Sequence, residues 1–188
     1  MAVSANLTTG QVLTADIANT YMLNSGLVYV ASKTWTSTSA AQQIDNCFTS
    51  TYDNYLITFK GSGSTAGADW VRGRLVNGTT PDANAIYFHS YAYSGTTAMN
   101  IGFSGSQTSW LVGLIGDNTC QFSWNLFSPQ LADKTTGIPT YMVSSTNDFF
   151  NGNNGHLVNN TTQYEGIYLF PGSGTWAGTV TVYGYRKA

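Results

Sequence analysis

Charge is what this chain has least of. Asp, Glu, Lys and Arg make up 9% of its 188 residues, against roughly 25% in an ordinary soluble domain. The seven cations, Lys33, Lys60, Arg72, Arg74, Lys134, Arg186 and Lys187, are scattered, and the formal net charge is −2. Displacing counterions from a phosphate backbone needs clustered cations, so nucleic acid is not an expected partner. Also missing are an apolar run of about 18 residues, which a membrane helix needs, and a basic start followed by an apolar stretch. The expectation is a soluble protein with no membrane partner and no secretion signal.

Catalytic and metal-binding residue types are equally sparse. The only imidazoles are His89 and His156. His89 sits in the strand-like Ile86-Tyr87-Phe88-His89-Ser90-Tyr91, and His156 in the loop-like Asn151-Gly152-Asn153-Asn154-Gly155-His156; neither has a nucleophile elbow beside it. The nine carboxylates mostly occur singly in turns, as at Asp82, Asp117, Asp133 and Asp148, where capping the backbone explains an Asp. No CxxC, HxxxH or calcium loop is present. Residues 61–67 are Gly- and Ser-rich but lack the Lys and following helix of a phosphate loop, and read as a flexible hairpin connection. No catalytic residue, metal or cofactor is therefore expected. The two cysteines, Cys47 and Cys120, stand too far apart to resemble the frameworks of small secreted domains. Two readings stay open for them: buried thiols, or a disulfide, within the chain or between chains.

What the chain does have is aromatic and small polar residues. Tyr, Phe and Trp number 12, 9 and 5, with 20 Gly. From Leu27 onward apolar residues recur with a period of two, the mark of a strand with one buried face. In Asn54–Lys60, Tyr55, Ile57 and Phe59 point inward while Thr58 and Lys60 point out; Thr179–Arg186 alternates as cleanly. Further strands are expected at 27–35, 70–76, 86–93, 110–116, 120–127, 140–144 and 165–170, most separated by turn-forming clusters. Many short strands with polar turns predict an all-β fold, an antiparallel β-sandwich or jelly roll spanning 27–188. Long loops are expected at 61–69, 94–109 and 146–163, where contacts to partners usually lie.

Residues 1–26 differ from the rest. The stretch 13–26 reads as one short helix, with Thr14 as cap, Asp16 at the positive end of the dipole and Gly26 as stop. Three turns are marginal alone, so this arm needs a surface, either the chain's own sheet or a neighbour. Leu7, Val12, Leu13, Ile17, Tyr21 and Met22 are the candidate assembly residues.

Most aromatics, including Tyr87, Phe88, Tyr91, Tyr93, Trp70, Trp110, Trp124 and Trp176, belong in the core between two sheets. Those left outside suit a protein interface or, alternatively, a sugar-binding surface. A surface so poor in charge lacks the repulsion that keeps monomers apart, and favours the interface.

Three segments carry a resemblance. Thr8-Thr9-Gly10-Gln11-Val12-Leu13-Thr14-Ala15-Asp16-Ile17-Ala18-Asn19-Thr20, Phe48–Ile57 and Gly174–Lys187 resemble small β-sandwich virion proteins of tailed bacteriophages, of the tail, fibre or capsid-decoration type known from phages of marine and freshwater bacteria. The resemblance implies a virion subunit with an N-terminal anchor, commonly trimeric, whose partners are major capsid or tail proteins and which is assembled in the host cytoplasm. It covers both ends of the chain and leaves 61–163 unmatched. A capsid decoration subunit is the first expectation, a tail or fibre knob touching a host surface glycan the second, and a carbohydrate-binding or glycan-degrading domain the third.

Overall fold

A computed structural model describes residues 26–64, 68–95, 97–146 and 148–187. The arm residues Leu7, Val12, Leu13, Ile17, Tyr21 and Met22, and the expected helix up to residue 25, lie outside the described residues. Within them the chain is all β, in thirteen strands: β1 (Leu27–Thr38), β2 (Gln42–Ile44), β3 (Asn54–Gly63), β4 (Asp69–Asn77), β5 (Thr80–Pro81), β6 (Tyr87–Ser94), β7 (Met99–Gln107), β8 (Trp110–Ile115), β9 (Cys120–Phe127), β10 (Thr136–Ser144), β11 (Phe149–Val158), β12 (Gly166–Pro171) and β13 (Trp176–Tyr185). They form two antiparallel sheets. The larger has eight strands in the order β1-β13-β3-β9-β10-β11-β6-β7; the smaller runs β2-β12-β4-β5, with β8 also pairing to β4.

The expected β-sandwich is present, and its core follows from the period of two. Tyr55, Ile57 and Phe59 of β3, Phe122, Trp124 and Leu126 of β9, and Val180 and Val182 of β13 are buried on one face of the large sheet. Val71, Leu75, Val112, Ile167 and Leu169 answer them from the small sheet and join the same cluster. Each large side chain taken out of water on this layer is worth about 1.5–3 kcal/mol. Tyr55 also ties the entry to β3, because its hydroxyl accepts from Thr49 N at 2.7 Å and donates to Thr49 O at 2.9 Å.

All nine strands expected from the alternation are found, but two of the expected loops are not loops. Residues 94–109 contain the nine-residue β7, and 146–163 contain the ten-residue β11. β11 lies inside the sheet between β10 and β6, so both its edges are hydrogen-bonded, and that pairing overrides the turn preference of its Asn and Gly residues. The Gly- and Ser-rich stretch at 61–67 is not a hairpin connection either. Its first three residues extend β3, and the chain then crosses from the large sheet to the small one at β4.

Cys47 and Cys120 are free and fully buried, so the disulfide is not formed. Phe48 packs on Tyr55, with ring centroids 4.7 Å apart, and Tyr55 pairs with Leu126, whereas Cys120 pairs with Gly61. That places the two cysteines at opposite ends of the β3–β9 pair, about 20 Å apart at ~3.4 Å per residue, far beyond the ~7 Å Cα limit of a disulfide. Burial holds both as thiols, pushing Cys47 up to about 12 and Cys120 up to about 11, and their lack of exposure closes the route to a bridge between chains.

The indole of Trp124 is seated over Gly137 on the neighbouring strand, where a Cβ would come 2.5 Å from Trp124 Nε1 and 3.1 Å from Asn125 O. Gly137→Ala is expected to destabilise the domain by about 1–3 kcal/mol, the usual cost of overpacking. A shift of the urea midpoint at unchanged slope measures it; an unaltered midpoint would show that the ring is free to move aside.

Candidate binding face

The two faces of the eight-stranded sheet have different chemistry, and the register states which residues share each. One row on the inner face runs from Gly184 through Tyr55, Leu126, Gly137 and His156 to His89. The outer face carries the alternate residues. One of its rows runs Ser32, Thr181, Thr58, Ser123, Thr140, Asn153, Ala92, Ile101 from edge to edge. The next row holds Thr34, Thr179, Lys60, Gln121, Met142, Asn151, Ser94 and Met99. Hydroxyls and amides in these rows bond across the strands, as Thr34 to Thr179 at 2.9 Å and Ser94 Oγ to Asn151 Oδ1 at 2.9 Å.

Three hollows lie along this outer face. The first, about 670 Å³, is bordered by Thr58, Lys60, Gln121, Ser123, Thr140, Met142, Asn151, Thr179 and Thr181. A second, about 490 Å³, is apolar, with Phe88, Phe103, Phe127, Ile138 and Leu157 around it, and a third of about 550 Å³ lies between Ser90, Ile101, Phe103 and Asn153. Lys60 is the only Asp, Glu, Lys or Arg lining any of the three. At β7 the face becomes apolar and open, with Met99, Ile101 and Phe103 76%, 76% and 70% exposed, and on the central strand β10 Ile138 and Met142 are 52% and 41% exposed. Exposed large apolar residues are ordinary singly but signify a contact surface when they gather on one face.

Met99, Ile101 and Phe103 fall in a segment read as a loop from sequence, Ile138 just outside an expected strand, and Met142 inside the strand expected at 140–144. The signal was present in Met99-Asn100-Ile101-Gly102-Phe103, which alternates with period two; its apolar face turns to solvent, the reverse of the usual assignment.

The histidines lie on the opposite, inner face. His156 is in β11 rather than a loop and is buried beside His89, its cross-strand partner. Its ring stacks on Trp110 at 4.8 Å and meets Trp124 edge-on at 5.7 Å. Nε2 is 2.9 Å from Leu111 O; a carbonyl only accepts, so Nε2 carries the proton and donates. Nδ1 of both histidines and Nε1 of Trp124 have no partner among the described residues. Burial lowers both imidazoles, with Arg72 adding to the effect at His89, and His156 falls to about 3. The carboxylates seen in these contacts tie together segments distant in sequence: Asp82 accepts from Tyr164 Oη at 2.7 Å, Asp69 from Ser173 Oγ at 2.6 Å, Asp117 from Thr146, and Asp53 pairs with Lys187 at 2.7 Å. Among the described residues no three His, Cys, Asp or Glu gather as a metal site.

Comparison with protein-family models, with curated proteins and with solved structures finds no match to this chain.

The buried imidazole gives the domain an acid sensitivity of defined sign. The folded state keeps His156 neutral down to about pH 3, while the unfolded chain takes up the proton below about 6.5. Between those values the unfolded state binds more protons, so stability is complete above about pH 6.5 and declines as pH falls, by up to about 1.4 kcal/mol per unit. His156→Phe, which keeps a ring on Trp110, is expected to flatten that slope in urea titrations from pH 7 to 4; an unchanged slope would assign the sensitivity elsewhere.

Proposed function

We propose that this chain is a non-enzymatic structural subunit of a bacteriophage particle, a capsid decoration or cement protein that docks on neighbouring virion proteins through the outer face of its eight-stranded sheet and its N-terminal arm. The observation that carries the proposal is the chemistry of that face. It is broad, nearly without charge, and carries exposed apolar residues on β7, at Met99, Ile101 and Phe103, and on the central strand β10, at Ile138 and Met142. Burying such a face against a partner gains hydrophobic free energy without stripping water from ions. The central band of Thr, Ser, Asn and Gln supplies the direct and water-bridged hydrogen bonds that a protein interface normally contains.

The resemblance of residues 8–20, 48–57 and 174–187 to small phage virion proteins supports the same reading. The last two segments fall on structural positions. Residues 48–57 hold the Tyr55 latch and the start of β3, and 174–187 contain β13. The arm, with Leu7, Val12, Leu13, Ile17, Tyr21 and Met22, then serves as the second contact, to the shell or to a sister subunit.

Removing residues 1–25 is expected to leave the sandwich folded, since both sheets are built from 27–185, and to abolish incorporation into particles. Ile138→Asp together with Met142→Asp, both on the exposed face, is expected to weaken particle binding at least tenfold, about 1.4 kcal/mol, while urea stability changes by less than about 0.5 kcal/mol. Cryo-electron microscopy of intact particles is the deciding measurement: the proposal requires density for this chain on the head, and particles without it overturn the assignment.

A further inference from the structure

Strand β7 is a long sheet edge whose first six residues, 99–104, carry none of the usual protections among the described residues. Edges normally avoid pairing with other chains by being short, bulged, charged or covered. In the small sheet, β2 has three residues, β5 has two, and β8, which pairs only with β4, is six residues long and covered, with five of the six buried. At the far edge of the large sheet, β1 is broken by register shifts at Tyr29/Ala31 and Trp35/Thr38, and it carries Lys33. β7 runs nine residues, Met99–Gln107, with no charge and no proline, and its register with β6 is regular from Ser104 back to Met99. Among the described residues no strand pairs with its other edge. The irregularity near Ser106, whose φ is +53°, lies past the apolar stretch and leaves 99–104 straight.

We propose that β7 pairs antiparallel with β7 of a second copy about a two-fold axis at Ile101, joining two eight-stranded sheets edge to edge. This rests on the reading of the outer face as a docking surface and names the first partner of that face. A two-fold contact must be complementary to itself, and this strand is. Pairing centred on Ile101 sets Ile101 against its own copy and Met99 against Phe103, all on the outer face, where directly opposed apolar side chains stabilise an antiparallel pair. No like charges meet, because the strand has none. The row of unpaired N–H and C=O groups on the edge is satisfied at the same time. Met99, Ile101 and Phe103 stand on the sheet face at 76%, 76% and 70% exposure, so pairing at the edge covers only the flanks that face the other copy, and the main-chain ladder carries the rest of the contact. The joined sheets then present a doubled apolar patch on one side, the side assigned to the particle.

Cross-strand neighbours in an antiparallel pair have Cα atoms about 4.5–5.5 Å apart, within the range of a disulfide, so position 101 reports directly on the pairing. Under mild oxidation Ile101→Cys is expected to form a covalent dimer at least about tenfold faster than Tyr29→Cys, a residue 60% exposed on the other edge of the same sheet; the native thiols are buried and do not interfere. Wild-type protein should sediment as a dimer with a urea midpoint that rises with protein concentration, and Ile101→Lys as a folded monomer whose midpoint does not depend on concentration. A wild-type monomer at the highest soluble concentration, a three-fold assembly, or cross-linking at 101 no faster than at 29 would overturn the pairing. A dimer that cross-links at 101 yet is absent from phage particles keeps the pairing and removes the virion assignment.

Discussion

Aromatic rings laid over glycines on neighbouring strands govern how this sandwich is packed. Trp124 occupies the space above Gly137, Tyr93 and Tyr141 crowd Gly152, and Tyr91 lies across Gly102 at the sheet edge. With 26 aromatics and 20 glycines in 188 residues, the chain packs many flat, bulky groups, and several of them lie where a neighbouring residue has no Cβ. A glycine in a strand normally weakens it by leaving nothing to pack, and here the ring from the adjacent strand covers the gap. The consequence runs through the rest of the molecule. Because Gly137 lets the Trp124 indole lie down, Trp110 can stand at right angles to it with centroids 5.4 Å apart, and His156 is then stacked on Trp110 and sealed from water.

Most of the architecture could be read from the sequence because burial on one face imposes a period of two. β3, β9 and β13 alternate between core aliphatics or aromatics and Thr, Ser or Lys, and such strands announce both their existence and their orientation. β11 does not, because between Phe150 and Val158 its inward positions are Gly152, Asn154 and His156, and Asn154 is buried by donating to Leu111 O and accepting from Tyr141. Its strand character comes from partners distant in sequence, which no local pattern encodes. The short β2 and β5 are set by pairing to β12 and β4, again a tertiary effect. The crossover after β3 was misread for a related reason: Gly- and Ser-rich stretches signal a turn, but whether it closes a hairpin or changes sheets depends on what β4 finds to pair with.

The candidate face was less legible than the fold, although its residues were in plain sight. Apolar alternation is ordinarily taken to mean burial, so Met99, Ile101 and Phe103 among Asn, Gly and Ser look like a loop. Only the register, which puts them on the same side as Thr140 and Asn153, shows that they face away from the core. His156 is the converse case. Its Asn- and Gly-rich surroundings suggest a solvated loop, and the structure buries it because Trp110 supplies a stacking surface and Leu111 an acceptor.

A nearly uncharged exterior also sorts the two parts of the outer face by function. Thr, Ser, Asn and Gln across β13, β3, β9 and β10 hold water through neutral hydrogen bonds, each worth only about 0.5–1.5 kcal/mol net when exchanged for a protein partner. That band can meet a partner or remain wet at little difference in free energy, so it cannot drive association. The apolar end around Ile101 has no such indifference, since every large side chain it buries gains about 1.5–3 kcal/mol. On the proposed docking role, affinity would reside near β7, while the hydroxyl ladders would fix the orientation in which a partner's polar groups are satisfied. Charge, which would make that contact sensitive to salt, is nearly absent from the face, so its association should be governed by apolar contact and fit.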